Sequence, residues 1–141
     1  MTDGYRFEEL ELGMHASFSK TVAEADLVNF AGVSSDFNPL HLDEDYARTT
    51  RFGTRIAHGM LSGAYLSAVM GMKLPGPGAV YLNQTLSFKA PVRIGDRVIA
   101  RVEVTGLRPD KNIVTCATTC YVDDKPVTTG EAVLMVPSRG K

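Results

Sequence analysis

Hydrophobic and polar residues alternate in the second half of the chain, as they do in β-strands. Val, Thr, Ile and aromatic residues dominate four segments there: 79–90, 97–107, 112–122 and 126–136. The connectors between them carry the Pro, Gly and Asp residues that favour turns, and they are too short for a helical crossover. The pattern therefore predicts consecutive strands that pair antiparallel.

A spacing typical of helices dominates the first half. After a loosely alternating segment at 14–22, which predicts a first strand, Thr21 and Glu24 have the spacing of a capping box. We expect this box to begin a helix that ends at Gly32. A second, short helix is predicted to follow from its N-cap, Asp43.

The most apolar stretch of the chain is 57–74. Its hydrophobic residues recur at helical spacing, and most of the positions between them are small. Such a helix suits burial on nearly all of its sides. Helices early and strands late predict an α+β domain, in which an antiparallel sheet wraps around this central helix. We expect one such domain over residues 1–141.

Composition and charge narrow the class of protein. With 15 Lys and Arg against 16 Asp and Glu, the formal net charge is -1, which argues against a dedicated nucleic-acid-binding protein. The N-terminus is polar and acidic, unlike a secretory signal, and no apolar run approaches the ~20 residues of a membrane span. On one strand, Cys116 and Cys120 would lie about 13 Å apart, beyond the ~7 Å that a disulfide allows. Two reduced thiols favour a cytoplasmic protein.

An open sheet has edge strands whose backbone groups need partners. Pairing two copies of the chain edge to edge is one solution, so we expect a homodimer. A site at its seam is plausible, because ligand sites favour interfaces.

The stretch SDFNPLH (35–41) carries the candidate chemistry. Asp36 can accept a proton, and His41 titrates near neutrality and can act as acid or base. Asn38 can orient a water molecule, and Pro39 stiffens the segment and keeps Asn38 out of helical geometry. If Asp36 and His41 face one cavity, a water between them makes a hydration or dehydration device. The same residues also favour a turn, because Asp and Asn side chains can bond their own backbone. Their spacing alone favours a simple turn over a catalytic segment.

Two further features of the sequence bear on a candidate site. His41 is followed by three acids, but these suit a solvated helix start, and no second histidine lies at ligand spacing, so a metal site is not expected. Gly59, at the start of the central helix, has a backbone N–H that could polarise a carbonyl oxygen. Gly59 could equally serve only to permit tight packing, with His58 only helping the helix to begin.

The run FAGVSSDFNPLHLDEDYA (30–47) resembles the signature of the (R)-specific enoyl-CoA hydratases, the MaoC-like or hydratase-2 family. Ser35 stands where that signature has Gly, a departure that removes no proposed catalytic atom. The resemblance continues through HGMLSGAYLSAV (58–69) and TGEAVLMVP (129–137), and so covers nearly the whole chain. It is strongest to the short enzymes that supply (R)-3-hydroxyacyl-CoA for polyhydroxyalkanoate synthesis.

The resemblance implies a hot dog fold, a homodimer and an activity: reversible hydration of trans-2-enoyl-CoA to (R)-3-hydroxyacyl-CoA. No organic cofactor or metal is implied, since coenzyme A enters only as part of the substrate. Asp36 and His41 match the family's catalytic pair, and Gly59 matches the residue whose N–H faces the thioester oxygen. Asn38 and Ser67 match supporting residues of the family. Met70 and Val133 match residues that shape the acyl pocket.

Several alternatives stay open. Ser67 lies eight helical residues from Gly59, about 12 Å away, and could be a helix serine that bonds its own backbone. The substrate could be carried by acyl carrier protein and dehydrated, the chain could be a thioesterase, or it could be a non-catalytic acyl-CoA-binding dimer. The cations that could contact coenzyme A phosphates are Arg51, Arg55, Lys73, Lys89 and Arg93.

Overall fold

Six strands form one antiparallel sheet. The computed structural model describes residues 3–139. Its strands are β1 His15–Thr21, β2 Val80–Gln84, β3 Ser87–Phe88, β4 Arg97–Arg108, β5 Ile113–Val122 and β6 Lys125–Met135. In the sheet they lie in the order β1-β4-β5-β6-β2, with the short β3 also paired to β6. Its α-helices are α1 Glu24–Ser34, α2 Pro39–Leu42, α3 Glu44–Arg48 and α4 Gly59–Met72, preceded by a 3-10 turn at Phe7–Glu9.

The antiparallel meander predicted for the second half is confirmed. The inward-facing residues of β4, β5 and β6 alternate with more exposed ones, because successive side chains of a strand point to opposite faces. Cys116 and Cys120 both lie on the buried face of β5 as free thiols. Burial raises the pKa of each thiol to about 12, so both are unreactive near neutral pH.

The strand predicted at 79–90 is divided into β2 and β3. Thr85 lies in the break, where its N–H donates to the Glu131 carbonyl at 2.9 Å. Opposite it, a Cβ on Gly130 would stand only 1.9 Å from the Thr85 carbonyl oxygen. Only glycine therefore permits this close approach of the two backbones.

Helix α4 packs mainly against β4 and provides much of the core. Its residues Leu66, Val69 and Met70 are almost fully buried. The expected burial on nearly all sides is wrong for the single chain, since Met60, Ala64, Ser67, Ala68 and Gly71 are exposed. The small residues thus lie along one open face of the helix.

The predicted ends of α1 are wrong by a few residues. Thr21 ends β1, and the helix instead follows Ala23, whose N–H donates to the Asp26 carboxylate at 2.8 Å. The helix also continues past Gly32 to Ser34, and Ser35 ends it in the left-handed conformation, at φ 68°. The prediction that Asp43 caps α3 is confirmed, because its carboxylate accepts the Asp45 and Tyr46 N–H groups.

Candidate active site

A cavity of about 730 Å³ collects the residues that carry the candidate chemistry. Asp36, His41 and Gly59 all line it, although Gly59 is 18 residues beyond His41 in the chain. Its apolar wall includes Phe30, Phe52, Ile56, Met60, Phe88 and Val92. The fold therefore brings an acid, a base and a helix start to one largely apolar space.

Local hydrogen bonds shape the segment that holds Asp36. The Asp36 N–H donates to the Ser34 hydroxyl at 3.1 Å, and the Asn38 N–H donates to the Asp36 carboxylate at 3.2 Å. Asn38 in turn accepts the Leu40 N–H at 3.0 Å and so caps α2, in which Pro39 is the first residue. Asn38 itself is not helical, as predicted, but the segment from Pro39 onward is one helical turn.

The backbone conformation at Ser35 accounts for the glycine that the family signature has at this position. A positive φ favours glycine because a Cβ crowds the backbone in the left-handed region. The chain places serine there, at φ 68°. The requirement at this position is therefore a left-handed backbone conformation and not a particular side chain.

His41 is buried at 8% exposure, and its tautomer follows from one contact. Nδ1 lies 2.7 Å from the Ile56 carbonyl oxygen, which can only accept, so Nδ1 carries the proton. Nε2 is then left with the lone pair that a base needs. Burial lowers the pKa of His41, with a further lowering from nearby His58, while the Ile56 carbonyl and the Asp36 carboxylate oppose the shift. A neutral imidazole is therefore the favoured form at neutral pH.

His58 is the residue that the sequence did not reveal. It is 2% exposed, and its Nε2 lies 3.0 Å from the Asp36 carbonyl oxygen. Its ring stacks on the His41 ring, with centroids 3.9 Å apart. The spacing of 17 residues gives no hint of this contact, and the only signal in the sequence was its place before Gly59.

A second histidine therefore reaches His41 in space, although none lies at ligand spacing in the sequence. Donor atoms of Asp36, His41 and His58 lie within 4.8 Å of one another, and such a set suits a transition metal. One nitrogen of each ring already contacts a backbone carbonyl, which leaves the other nitrogen of each ring as the possible ligand. The prediction that the site needs no metal or cofactor stays a prediction.

Gly59 begins α4, so its N–H has no acceptor within the helix and lies at the positive end of the helix dipole. A Cβ at this position would stand 2.9 Å from the Phe88 ring. Glycine thus lets the helix start and the aromatic ring lie close together beside the cavity. The arrangement suits a carbonyl oxygen that accepts from the Gly59 N–H.

The other predicted site residues lie outside this cavity. Asn38 is exposed and acts on the backbone of α2, whereas Ser67 lines a second cavity of about 490 Å³ on the open face of α4. Met70 is almost fully buried in the core, and Val133 is half-buried opposite Asn83 on β2. Neither Met70 nor Val133 lines either cavity within the single chain, so their acyl-pocket role stays a prediction.

Comparison with known proteins identifies the family. Residues 8–129 match the family described as MaoC like domain. The chain is 60% identical to an (R)-specific enoyl-CoA hydratase of Rhodospirillum rubrum, over 95% of this chain and 93% of that protein. It is 50% identical to a 3-hydroxybutyryl-CoA dehydratase of Methylorubrum extorquens, over 94% of this chain and 85% of that protein.

Among solved structures, the (R)-hydratase of Aeromonas caviae involved in polyhydroxyalkanoate (PHA) biosynthesis superimposes with a TM-score of 0.90 at 48% identity. The match covers 92% of this chain and 99% of that chain. The protein belongs to the MaoC-like family, and its fold is the hot dog fold that the family resemblance implied. No helix among residues 3–139 is long and apolar enough to cross a membrane.

Proposed function

We propose that this protein hydrates trans-2-enoyl-CoA reversibly to (R)-3-hydroxyacyl-CoA. The observation that carries the proposal is the placement of Asp36, His41 and the Gly59 helix start around one apolar cavity. The similarity to hydratases along nearly the full length of the chain supports it. The similarity to a 3-hydroxybutyryl-CoA dehydratase suits a reaction that runs in both directions.

In the proposed mechanism, one water molecule lies between the Asp36 carboxylate and the His41 imidazole. His41 Nε2 removes a proton from this water while the hydroxide adds to C3 of the enoyl group. The electron pair of the double bond moves toward the thioester oxygen, which accepts from the Gly59 N–H. The Asp36–His41 pair then delivers a proton to C2, so the elements of one water are added and no cofactor is consumed. Acid/base groups typically contribute about 10²- to 10⁴-fold, and an oxyanion donor about 3–4 kcal/mol.

We also assign the coenzyme A phosphates to two of the candidate cations. Arg51 and Lys89 are exposed and line the cavity, and the Arg51 guanidinium lies 4.8 Å from the centre of the Phe52 ring. The other three candidates already bind acceptors within the chain: Arg55, Lys73 and Arg93. Arg51 and Lys89 have no ion-pair partner among residues 3–139, and they suit a substrate whose carrier bears phosphates.

A homodimer is the proposed assembly. Strand β2 is an edge of the sheet, and its residues Val80, Tyr81 and Leu82 are all exposed. The second cavity lies beside it, between β2 and the open face of α4, and a second copy would cover both. We expect Leu82→Arg to give a monomer in a sedimentation experiment. Leu12→Arg changes a side chain of 66% exposure away from this edge and should leave the dimer intact.

Two finer assignments complete the proposal. The similarity to the Aeromonas caviae enzyme supports a role in supplying (R)-3-hydroxyacyl-CoA for polyhydroxyalkanoate synthesis. The two free thiols suit a reducing compartment, and we propose the cytoplasm.

The test is hydration of crotonyl-CoA, followed as loss of the enoyl thioester absorbance, with the configuration of the product determined. We expect turnover to (R)-3-hydroxybutyryl-CoA. Tight binding without turnover would identify a non-catalytic acyl-CoA-binding dimer, and release of free coenzyme A would identify a thioesterase. In a competition assay, a strong preference for crotonyl-acyl carrier protein over crotonyl-CoA would show that the substrate is carried by acyl carrier protein.

A further inference from the structure

His58 lines the same cavity as the two proposed catalytic residues and contacts both of them. It contacts Asp36 through the peptide carbonyl, at 3.0 Å, and not through the carboxylate. It contacts His41 by ring stacking, with the two planes inclined by 29°. The Phe30 ring lies on it as well, with centroids 4.9 Å apart.

We propose that His58 is a positioning residue for the hydration reaction: it fixes the Asp36 peptide by hydrogen bonding and supports the His41 ring by stacking. This inference rests on the proposed function. The side-chain hydrogen bonds within residues 34–40 join only groups of that segment. They therefore hold neither the Asp36 carbonyl nor the His41 ring in the way that His58 does.

The contact determines the tautomer of His58. A carbonyl oxygen only accepts, so Nε2 must carry the proton and donate it to Asp36. Nδ1 is buried and has no hydrogen-bond partner among residues 3–139. A proton on Nδ1 would thus be buried without an acceptor, which is costly. His58 is therefore a neutral donor, and the two stacked histidines carry their protons on opposite nitrogens, Nε2 in His58 and Nδ1 in His41.

The positions fixed in this way are those that the chemistry requires. A water held between Asp36 and His41 reacts well only if both groups stay within hydrogen-bond reach of it. A displacement of about 1 Å can cost roughly 100-fold in rate. Because His58 contacts the backbone of one group and the ring of the other, its loss would displace both together.

Three substitutions separate the functions of His58. Glutamine can place an amide nitrogen where Nε2 lies, so His58→Gln keeps the donor to Asp36. Asparagine has the same amide on a side chain one methylene shorter and cannot reach, and phenylalanine keeps a stacking ring without a donor. We expect His58→Asn and His58→Phe to lose roughly 10- to 100-fold in kcat with little change in KM. His58→Gln keeps the donor but lacks the stacking ring, so it should lose less kcat than His58→Asn, which lacks both.

Equal loss in His58→Gln and His58→Asn, with the fold intact by circular dichroism, would overturn the hydrogen-bonding role, as would wild-type kcat in His58→Phe. A second measurement does not depend on activity: long-range ¹⁵N NMR of the wild-type protein reports the tautomer of each histidine. We expect Nε2–H for His58 and Nδ1–H for His41, and Nδ1–H for His58 would overturn the proposal even if every variant misfolds. If wild-type protein shows the expected tautomers but does not hydrate crotonyl-CoA, the proposed function fails while the contact stands.

Discussion

Two regions of the molecule are built in different ways. The polar segment, residues 34–41, is held by hydrogen bonds between side chains and backbone two residues apart. The apolar frame, made of α4 and strands β4 to β6, is held by backbone pairing between strands and by buried side chains. The difference shows that the candidate catalytic residues and the residues that stabilise the fold are largely separate. The two regions meet where the His41 ring contacts the His58 ring.

Substitution of the polar segment should abolish activity and leave the frame intact. We expect Asp36→Asn and His41→Ala each to lower kcat for crotonyl-CoA by about 10²- to 10⁴-fold, because each removes an acid/base group. Thermal unfolding of Asp36→Asn should stay near that of the wild type, because asparagine can still accept the Asn38 N–H. Matched controls are Asp43→Asn, which still caps α3, and His15→Ala, an exposed histidine on β1. Loss of activity in either control would show that the effect is not specific to the segment.

Substitution of the frame should do the opposite. Leu66 on α4 is fully buried, so Leu66→Ala leaves a cavity and should lower the free energy of unfolding by about 2–5 kcal/mol. At a temperature where the variant is folded, kcat should match the wild type. Leu12→Ala, at 66% exposure, should change stability little. A large fall in kcat of folded Leu66→Ala would mean that the two regions are not separable.

Ser35 offers a way to stabilise the polar segment itself. Its φ of 68° is costly for a residue with a Cβ, by roughly 1–2 kcal/mol, and glycine removes that cost but adds freedom to the unfolded chain. We expect Ser35→Gly to raise the free energy of unfolding by about 0.5–1 kcal/mol in denaturant titrations, with activity retained. Ser35→Ala keeps the Cβ and should give no gain. A gain as large with alanine would exclude the backbone explanation.

The pH profile tests the state of His41. A base must be neutral, and burial holds the pKa of His41 below the ordinary value, so the acid limb of kcat/KM should lie below about pH 6.5. The same shift has a consequence for stability. The unfolded chain takes up this proton at a higher pH than the folded protein, so stability should fall as the pH falls through about 6.5. An acid limb well above that pH would contradict the assignment of His41 as the neutral base.

Much of the frame could be predicted because its patterns are local. The alternation in 97–107, 112–122 and 126–136 predicted strands that the structure contains, and small turns between them required antiparallel pairing. The break at Thr85 could not be predicted, since it depends on Gly130 lying opposite it. The capping box at Thr21 failed because the first strand extends through that residue.

The candidate site divides in the same way. Asp36, Asn38 and Pro39 could be interpreted from their spacing, because they act on backbone within two residues. The contacts of His41 with Ile56 and of His58 with Asp36 join residues 15 and 22 positions apart, and no short-range pattern encodes them. The open face of α4 was missed for a related reason: the sequence shows that the helix is apolar, but not whether its own chain or a second copy covers it.

The central claim is that Asp36 and His41 act on one water as a single device, and a double-substitution experiment tests it most directly. The measurement is kcat for crotonyl-CoA hydration in Asp36→Asn, His41→Ala and the variant with both changes. If the residues act as a unit, either single change already disables the device, and the double variant should lose little more than the worse single variant. A double variant whose loss equals the product of the two single losses would show two independent contributions and contradict the account.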